Sequence, residues 1–282
     1  MANEFNTTAG SGLYANAVQE ALYTFNEASI AAEIARVYDI TGSQGKTVQV
    51  PVYGKLSATS VADGTDLSNS ALTASSVDIS VGEYGVMTTV TDLMAESAGD
   101  DVYASVGRQI GGAVAEKVDE LVFAEFANFT NTVGGAGVEL TPDLLLAAHA
   151  KLRAQNAVGE LIAVVHPYQA YNLTKSLADA GYSTNANSVS ELGNEALRAG
   201  FVTEVFGIKV YQSSLLPIDV NGDAVAGVFT RDALGLAMKR DIRLESQRDA
   251  SLRATEWVAT VACGAGTTQP TYGVAITADA TI

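Results

Sequence analysis

The chain has 282 residues, a formal net charge of −16, and 48% hydrophobic residues. This length and hydrophobicity suffice for a large core, in one big domain or two smaller ones, and they argue against a disordered chain. The negative charge argues against a nucleic-acid-binding surface spread over the whole molecule. The single cysteine, Cys263, excludes an internal disulfide framework and suits a reducing cytoplasm.

The sequence shows no signal for a membrane or for export. No apolar run approaches the roughly 18 to 20 residues that a membrane helix needs, so we expect no membrane partner. The first residues, Met-Ala-Asn-Glu-Phe-Asn, lack a basic region and an apolar core. We therefore expect no secretory signal.

The first predicted unit, residues 1–45, is an N-terminal arm followed by a helix. Residues 1–14 are small and polar, which is typical of a flexible arm. From Ala15 to Asp39 the apolar residues recur at helical spacing and predict one helix. Gly42 and Gly45 are suited to the helix C-terminus and a turn.

Residues 46–91 predict an extended β-hairpin loop with a polar tip at 57–70. Apolar residues alternate in 46–56 and again in 77–81, as they do along strands. Pro51 cannot donate to a ladder, so its strand is predicted at an edge. An isolated hairpin is marginally stable in water, and we expect this arm to lie on something else, with a neighbouring subunit as a candidate.

The next predicted unit, residues 92–137, contains a long helix. Apolar residues recur every three or four positions from Val102 to Phe129. About 28 helical residues would span about 42 Å, which is long for one globular core. Gly111-Gly112 interrupts the pattern, and either close packing of another backbone or a bend would explain the pair.

Residues 138–236 predict a compact α/β or α+β domain. Thr141-Pro142 is a helix start with a capping threonine, 161–165 is a short buried strand, and Pro167 starts a second helix. A surface loop over 180–190 and a short helix over 190–198 follow, and then strands over 202–206, 208–211 and 225–230. Residues 237–282 predict a charged, extended segment and two final strands, 259–263 and 272–277.

The residues that usually carry chemistry do not form a recognisable catalytic or metal motif. His149 and His166 have no nucleophile or carboxylate cluster near them in sequence, and we expect a surface His149 and a His166 that caps a strand end. Cys263 lies on an apolar strand and is expected to be buried and inert. Residues 219–223 lack the later ligands of a calcium loop, so a plain turn is expected. We predict no catalytic, cofactor or metal residues.

Basic and acidic residues alternate in the segment between 238 and 256. The bases are Lys239, Arg240, Arg243, Arg248 and Arg253, and the interleaved acids are Asp241, Glu245, Asp249 and Glu256. A nucleic-acid-binding strip would not carry matching acids. The pattern favours paired charges on a strand that faces solvent or another subunit.

The order of these parts resembles the major capsid proteins of tailed bacteriophages with the Hong Kong 97-type fold. The resemblance rests on Val-Gln-Val-Pro-Val-Tyr-Gly at 48–54, Leu-Thr-Pro-Asp-Leu-Leu at 140–145, Ala-Val-Val-His-Pro-Tyr-Gln at 163–169 and Tyr-Gly-Val-Ala-Ile-Thr-Ala-Asp at 272–279. It implies an α+β subunit with a spine helix in 92–137, an axial domain over 138–236 and C-terminal strands of a peripheral domain over 237–282.

The resemblance also implies a function and partners. The subunits would tile an icosahedral head as hexamers and pentamers, enclosing double-stranded DNA without sequence-specific binding. They would assemble in the host cytoplasm, with a portal, a separate scaffolding protein and, in some relatives, a cement protein. Family members that form a Lys–Asn crosslink would match Lys55 by position, but no asparagine follows Asn221, so we predict no crosslink. The predicted intersubunit contacts are Lys55, Asp63, Asp66, Lys239, Arg240, Arg243, Glu245, Arg248, Asp249 and Arg253.

Two alternatives remain open from the sequence. An encapsulin-type nanocompartment shell has the same fold, and packaged protein rather than packaged DNA would distinguish it. A hydrolase or binding module with an α+β core belongs to a different class. It would need a concave site with perturbed titratable groups, for which the sequence offers no constellation.

Overall fold

The structure is a computed structural model that describes residues 17–25, 29–54, 56–66, 69–97, 101–177 and 204–281. The helices in these ranges are α1 (residues 17–25), α2 (Ala31–Ile34), α3 (Asp92–Ser97), α4 (Val102–Ala124), α5 (Pro142–Ala154) and α6 (Pro167–Leu177). The strands are β1 (Arg36–Asp39), β2 (Thr47–Tyr53), β3 (Ala74–Ser80), β4 (Gly82–Thr91), β5 (Asn131–Gly134), β6 (Leu161–Val165), β7 (Glu204–Val205), β8 (Ile208–Gln212), β9 (Asp223–Thr230), β10 (Leu234–Asp249), β11 (Ala254–Thr267) and β12 (Gly273–Asp279).

A four-stranded sheet with the order β1-β10-β11-β4 lies under the long helix α4. Strands β10 and β11 form a long antiparallel hairpin, with register shifts between Met238 and Arg243. The apolar stripe of α4 packs on the residues of one sheet face. This core contains Ile110, Val114, Val118 and Val122 from the helix and Leu236, Leu244, Trp257, Ala259 and Val261 from the sheet.

A six-stranded sheet with the order β5-β12-β9-β6-β8-β7 forms the second part of the molecule. Helices α5 and α6 pack with it around a core that includes Leu145, Leu152, Leu173, Val228 and Ile276. Strand β6 is buried along its whole length, as its five consecutive apolar residues predict. An aromatic cluster of Phe123, Phe126, Phe129 and Phe229, with neighbouring ring centroids 5.3–5.9 Å apart, joins the end of α4 to this sheet.

Strand β12 corrects the predicted grouping of the C-terminal residues. It pairs with β9 on one side and β5 on the other, so it belongs to the six-stranded sheet rather than with β10 and β11. Ile276 and Ala278 are fully or almost fully buried there. Sequence order placed β12 beside β11, but sheet neighbours are decided by backbone pairing between distant segments.

The predicted helix from Ala15 to Asp39 is wrong beyond its first part. Residues 17–25 and Ala31–Ile34 are helical, whereas Arg36–Asp39 form β1 and pair in parallel with Gly235–Met238. The strand gains backbone hydrogen bonds at the sheet edge, and this tertiary pairing outweighs a helical pattern of apolar residues. The predictions for residues 1–14, 180–190 and 190–198 lie outside the described residues.

The predicted long helix from Val102 to Phe129 is shorter in the structure. Helix α4 covers Val102–Ala124, which is 23 residues or about 34 Å, and Glu125–Asn128 form a 3-10 turn. A separate short helix, α3, covers Asp92–Ser97. Asp101 caps α4, because its carboxylate accepts hydrogen bonds from the backbone N–H groups of Tyr103 and Ala104. Thr141 occupies the corresponding position before α5, but its side chain makes no capping hydrogen bond. None of the described helices combines the length and apolarity needed to cross a bilayer.

Helix α4 is continuous through Gly111, and another backbone lies against it there. A Cβ atom at Gly111 would overlap the carbonyl oxygen of Ala21, and one at Gly107 would lie 2.5 Å from that of Ala17. Both alanines are on α1 and are buried. Close packing of another backbone, the first of the two predicted explanations, therefore accounts for Gly111 but not for Gly112, whose nearest neighbour is the Cγ2 of Thr24 at 4.0 Å.

Candidate assembly surfaces

The described contacts that attach the hairpin of β2 and β3 to the rest of the chain lie near its base. The two strands pair over seven residues each, from Thr47↔Ser80 to Tyr53↔Ala74. At the base, Val50 and Ile79 form a small buried cluster with Ala237 of β10. The predicted hairpin is therefore shorter than 46–91, since the chain passes from β3 into β4 of the four-stranded sheet at Val81.

The outer half of the hairpin exposes large apolar side chains. Tyr53 is 63% exposed, Leu56 and Leu72 are 54% exposed, and Val61 is 43% exposed. Large apolar side chains that are exposed together on one element are typical of an interaction surface. Of these four residues only Val61 lies within the tip at 57–70 that was predicted to be polar, and none of the four was among the predicted contact residues.

Two predicted contact residues, Asp63 and Asp66, lie at this exposed tip. Asp63 and Gly64 form its turn, in which Gly64 has a φ of +79° and Thr65 donates to the carbonyl oxygen of Ala62 through its backbone N–H and its hydroxyl. Both aspartates are exposed. The third predicted tip residue, Lys55, lies outside the described residues.

The charged strip along β10 pairs largely with its own chain. Arg248 makes two parallel hydrogen bonds of 2.6 Å to the carboxylate of Asp92, and this contact lowers the pKa of Asp92. Arg240 contacts Glu83 of β4, and Arg243 contacts Glu245. The charges are paired as expected, but Glu83 and Asp92 were missed because they lie about 150 residues away in sequence.

The other predicted residues of the strip make hydrogen bonds that involve backbone groups. The Lys239 ammonium donates to the carbonyl oxygens of Ser43 and Gly45 at the foot of the hairpin. Asp249 accepts from the backbone N–H groups of Ser251 and Leu252 in the β10–β11 turn. Arg253 has a φ of +50°, and its carbonyl oxygen accepts from the N–H of Asp92. None of these contacts tests an intersubunit role.

A buried carboxylate that the sequence analysis missed ties the N-terminal segment to the long helix. Asp119 of α4 is 3% exposed and accepts hydrogen bonds from the Ser29 hydroxyl and from the backbone N–H groups of Ile30 and Ala31. Burial raises the pKa of Asp119, and these hydrogen bonds partly oppose the shift. The sequence did contain a signal for this buried acid. Asp119 lies one turn after Ala115 and three residues before Val122, which puts it on the apolar face of the helix.

A shallow groove of about 400 Å³ lies beside this segment, where the N-terminal residues meet the six-stranded sheet. Its charged groups are already paired. Lys209 lies 2.6 Å from Glu160, the Tyr211 hydroxyl donates to Glu33 at 2.7 Å, and Arg231 donates to the carbonyl oxygens of Ala32 and Ala35. The contacts of Tyr211 and Arg231 hold the N-terminal segment in place. Among the groove residues no nucleophile lies beside a free base.

The remaining candidates for chemistry have structural environments. His166 is buried, its Nδ1 accepts from the N–H of Tyr168 at the start of α6, and burial lowers its pKa. His149 is partly buried within α5. Cys263 is fully buried, which raises its pKa to about 11. Asp219 accepts from the N–H groups of Asn221 and Asp223 in a turn. Among the described residues there is no cluster that would hold a metal ion.

Comparison with known proteins identifies the family of this chain. A family model described as phage capsid protein matches residues 73–276, more than two thirds of the chain. The chain belongs to the phage capsid protein family. No curated protein matches this capsid protein.

Solved structures from phages share the fold of this capsid protein. A structure from Mycobacterium phage Che8 has a TM-score of 0.71 at 19% identity, covering 88% of this chain and 90% of that chain. The capsid structure of cyanophage P-SCSP1u gives 0.69 at 19% identity, with 89% and 88% covered. The head structure of Helicobacter pylori bacteriophage KHP40 gives 0.69 at 14% identity, with 90% and 92% covered.

The chain is therefore a major capsid protein with the Hong Kong 97-type α+β fold, a structural protein of the virion shell. The predicted family and fold are confirmed. Nothing in the family match or in these structures favours the nanocompartment or the hydrolase alternative.

Proposed function

We propose that this capsid protein assembles as hexamers and pentamers into an icosahedral head that encloses double-stranded DNA, and that the β2–β3 hairpin is the arm that connects neighbouring copies. One observation carries the role of the arm. Its outer half presents Tyr53, Leu56, Val61 and Leu72 to solvent. A two-stranded hairpin has too little core to order such residues alone, so a second copy is the natural surface for them.

Each of the two larger sheets is assigned to one part of the capsid subunit. The four-stranded sheet with α4 and the hairpin serves as the peripheral part, and the six-stranded sheet with α5 and α6 serves as the axial part at the centre of each capsomer. Strand β12 belongs to the axial part in this proposal, because it pairs with β9. A closed shell repeats a few interfaces many times, and an arm that reaches across one of them strengthens the assembly.

The charged strip contributes to contacts between copies through the predicted residues that remain solvent-exposed. Arg243, Glu245 and Arg248 are exposed in the single subunit despite their pairing. Exposed pairs add little to the stability of one chain, but complementary charges set the register between chains. Asp63 and Asp66 at the arm tip supply acids that basic groups of a neighbour could meet.

The proposed partners are a portal, a separate scaffolding protein and a cement protein. Assembly takes place in the host cytoplasm, and the finished shell is part of the virion. The net charge of −16 fits a shell that surrounds DNA without gripping it. The proposal includes no enzymatic step, no cofactor and no covalent crosslink between subunits.

The test replaces residues 57–70 by a Gly/Ser segment of equal length in the full chain and changes Tyr53, Leu56 and Leu72 to serine, so that all four exposed apolar side chains of the arm are removed. We expect a subunit with unchanged circular dichroism and cooperative unfolding that fails to form closed shells in cryo-electron micrographs, with or without the scaffolding protein. The matched control replaces Val220, which is fully exposed on a turn of the six-stranded sheet, by serine. Normal shells from the tip replacement would refute the bridging role.

A further inference from the structure

The face of the β10–β11 hairpin that meets the arm has a patch without large side chains. Gly235 pairs with Gly266, and Ala237 pairs with Gly264, so these four residues form two adjacent cross-strand pairs on one face. We call them the glycine socket. Glycine weakens a strand interior and often marks the close approach of another segment.

One side chain of the arm occupies the glycine socket. Ile79 of β3 is 1% exposed, although its strand neighbours Asp78 and Ser80 are exposed. A Cβ atom built on Gly235 would lie 2.7 Å from the Cδ1 of Ile79, and one built on Gly266 would lie 3.0 Å from its Cγ1. A Cβ atom on Gly264 would overlap the carbonyl oxygen of Ser80. A larger residue at Gly264 therefore meets the backbone of β3, and one at Gly235 or Gly266 meets the side chain of Ile79.

The second strand of the arm is also held at its foot. Lys239, which lies two residues after Ala237 on β10, donates to the carbonyl oxygens of Ser43 and Gly45 just before β2. The backbone N–H of Val81 donates to the carbonyl oxygen of Lys46 at 2.7 Å and closes the base of the hairpin. Both strands are thus fixed at the base, whereas the outer half is exposed.

We propose that the glycine socket fixes the direction in which the arm leaves the subunit, with Ile79 as the positioning residue. A small rotation at the base moves the tip through a large arc, because the strands rise about 3.3 Å per residue beyond it. This inference rests on the proposed bridging role of the arm. The direction set at the socket then decides whether the tip reaches the neighbouring copy.

Three variants separate the socket from general effects on the hairpin. Gly266→Ala adds a methyl group whose nearest neighbours are all atoms of Ile79, at a backbone conformation that alanine adopts. The double variant Gly266→Ala/Ile79→Ala removes those atoms and restores the space. Val77→Ala is the matched control, since Val77 lies on the same face of β3, two residues before Ile79, but outside the buried cluster.

The direction of the arm is measured in the unassembled full chain by the distance between spin labels on Ser60→Cys and Gln247→Cys, both exposed positions, while the native Cys263 is buried. We expect Gly266→Ala to shift and broaden the distance distribution, the double variant to return toward the wild-type distance, and Val77→Ala to leave it unchanged. An unchanged distance in Gly266→Ala would overturn the proposal, whatever shells the variant forms.

The same variants are then assembled and imaged. We expect Gly266→Ala to give irregular or few shells, and the double variant to recover part of the yield. A shifted distance with normal shells would overturn the link between socket and assembly. Failure of the bridging role itself has a different signature, because shells would then form normally when the tip replacement removes all four exposed apolar side chains of the arm.

Discussion

The Ser29 hydroxyl donates a hydrogen bond of 2.8 Å to the carboxylate of Asp119, joining two residues that are 90 positions apart. The same carboxylate accepts from the N–H groups of Ile30 and Ala31, so it supplies the cap that the Ile30 side chain cannot give to α2. No basic side chain takes part in these contacts. One acid of the long helix thus fixes the path by which the N-terminal segment enters the sheet at β1.

Replacement of Asp119 by alanine is predicted to destabilise the subunit by about 3 kcal/mol. The change leaves the donors of Ser29, Ile30 and Ala31 without their acceptor in a largely buried setting. Asp119→Asn keeps one oxygen acceptor and the shape, so it should cost less. Urea denaturation of the unassembled subunit measures both. Equal stability of the alanine variant and the wild type would contradict the role of Asp119.

Asp119 also gives the stability of the subunit a pH dependence. Burial raises the pKa of its carboxyl above the ordinary value of 3.8, so the folded chain binds this proton more tightly than the unfolded chain. Ionisation of Asp119 therefore lowers the free energy of unfolding as the pH rises from the ordinary pKa through the raised one. The stability of Asp119→Asn relative to wild type should increase over that window. Urea denaturation at several pH values measures it, and a constant difference would contradict the prediction.

Neighbouring glycines of α4 are predicted to respond to alanine in opposite directions. Gly111→Ala puts a Cβ atom onto the backbone of Ala21 in α1 and should destabilise the subunit. Gly112→Ala meets nothing closer than the Cγ2 of Thr24 at 4.0 Å and should stabilise it by about 1 kcal/mol, since alanine is the better helix former. Thermal unfolding followed by circular dichroism compares the two. A shift in the same direction for both would show that α1 does not pack as described.

Cys263 is predicted to be unreactive in the folded subunit. Its side chain is fully buried and its pKa is raised to about 11, so the reactive thiolate is scarce at neutral pH and reagents cannot reach it. Ellman's reagent should react with it only after denaturant is added. The Ser60→Cys variant, with a thiol on the exposed tip, is the positive control. Prompt reaction of the wild-type chain in native buffer would show that the core around Trp257 and Cys263 opens readily.

Much of the subunit was predictable because some patterns act locally. Alternating apolar residues at 48–52 and 77–81 predicted the strands of the arm, and five apolar residues at 161–165 predicted a buried strand. The apolar spacing from Val102 onward predicted the long helix. Each of these predictions depends on which side of one helix or strand is buried, and the spacing of apolar residues within a short segment shows this side.

Only the tertiary structure decided which distant segments pair. Arg36–Asp39 form a strand because the edge of β10 offers hydrogen bonds, and β12 joins the six-stranded sheet because β9 and β5 flank it. Asp119 is buried because Ser29–Ala31 reach it, and Gly235 and Gly266 are tolerated because Ile79 fills the space above them. Sequence determined the faces of each element. The contacts between these faces depend on hydrogen bonds and packing between residues that are far apart in the chain. The local spacing of apolar residues does not predict these contacts.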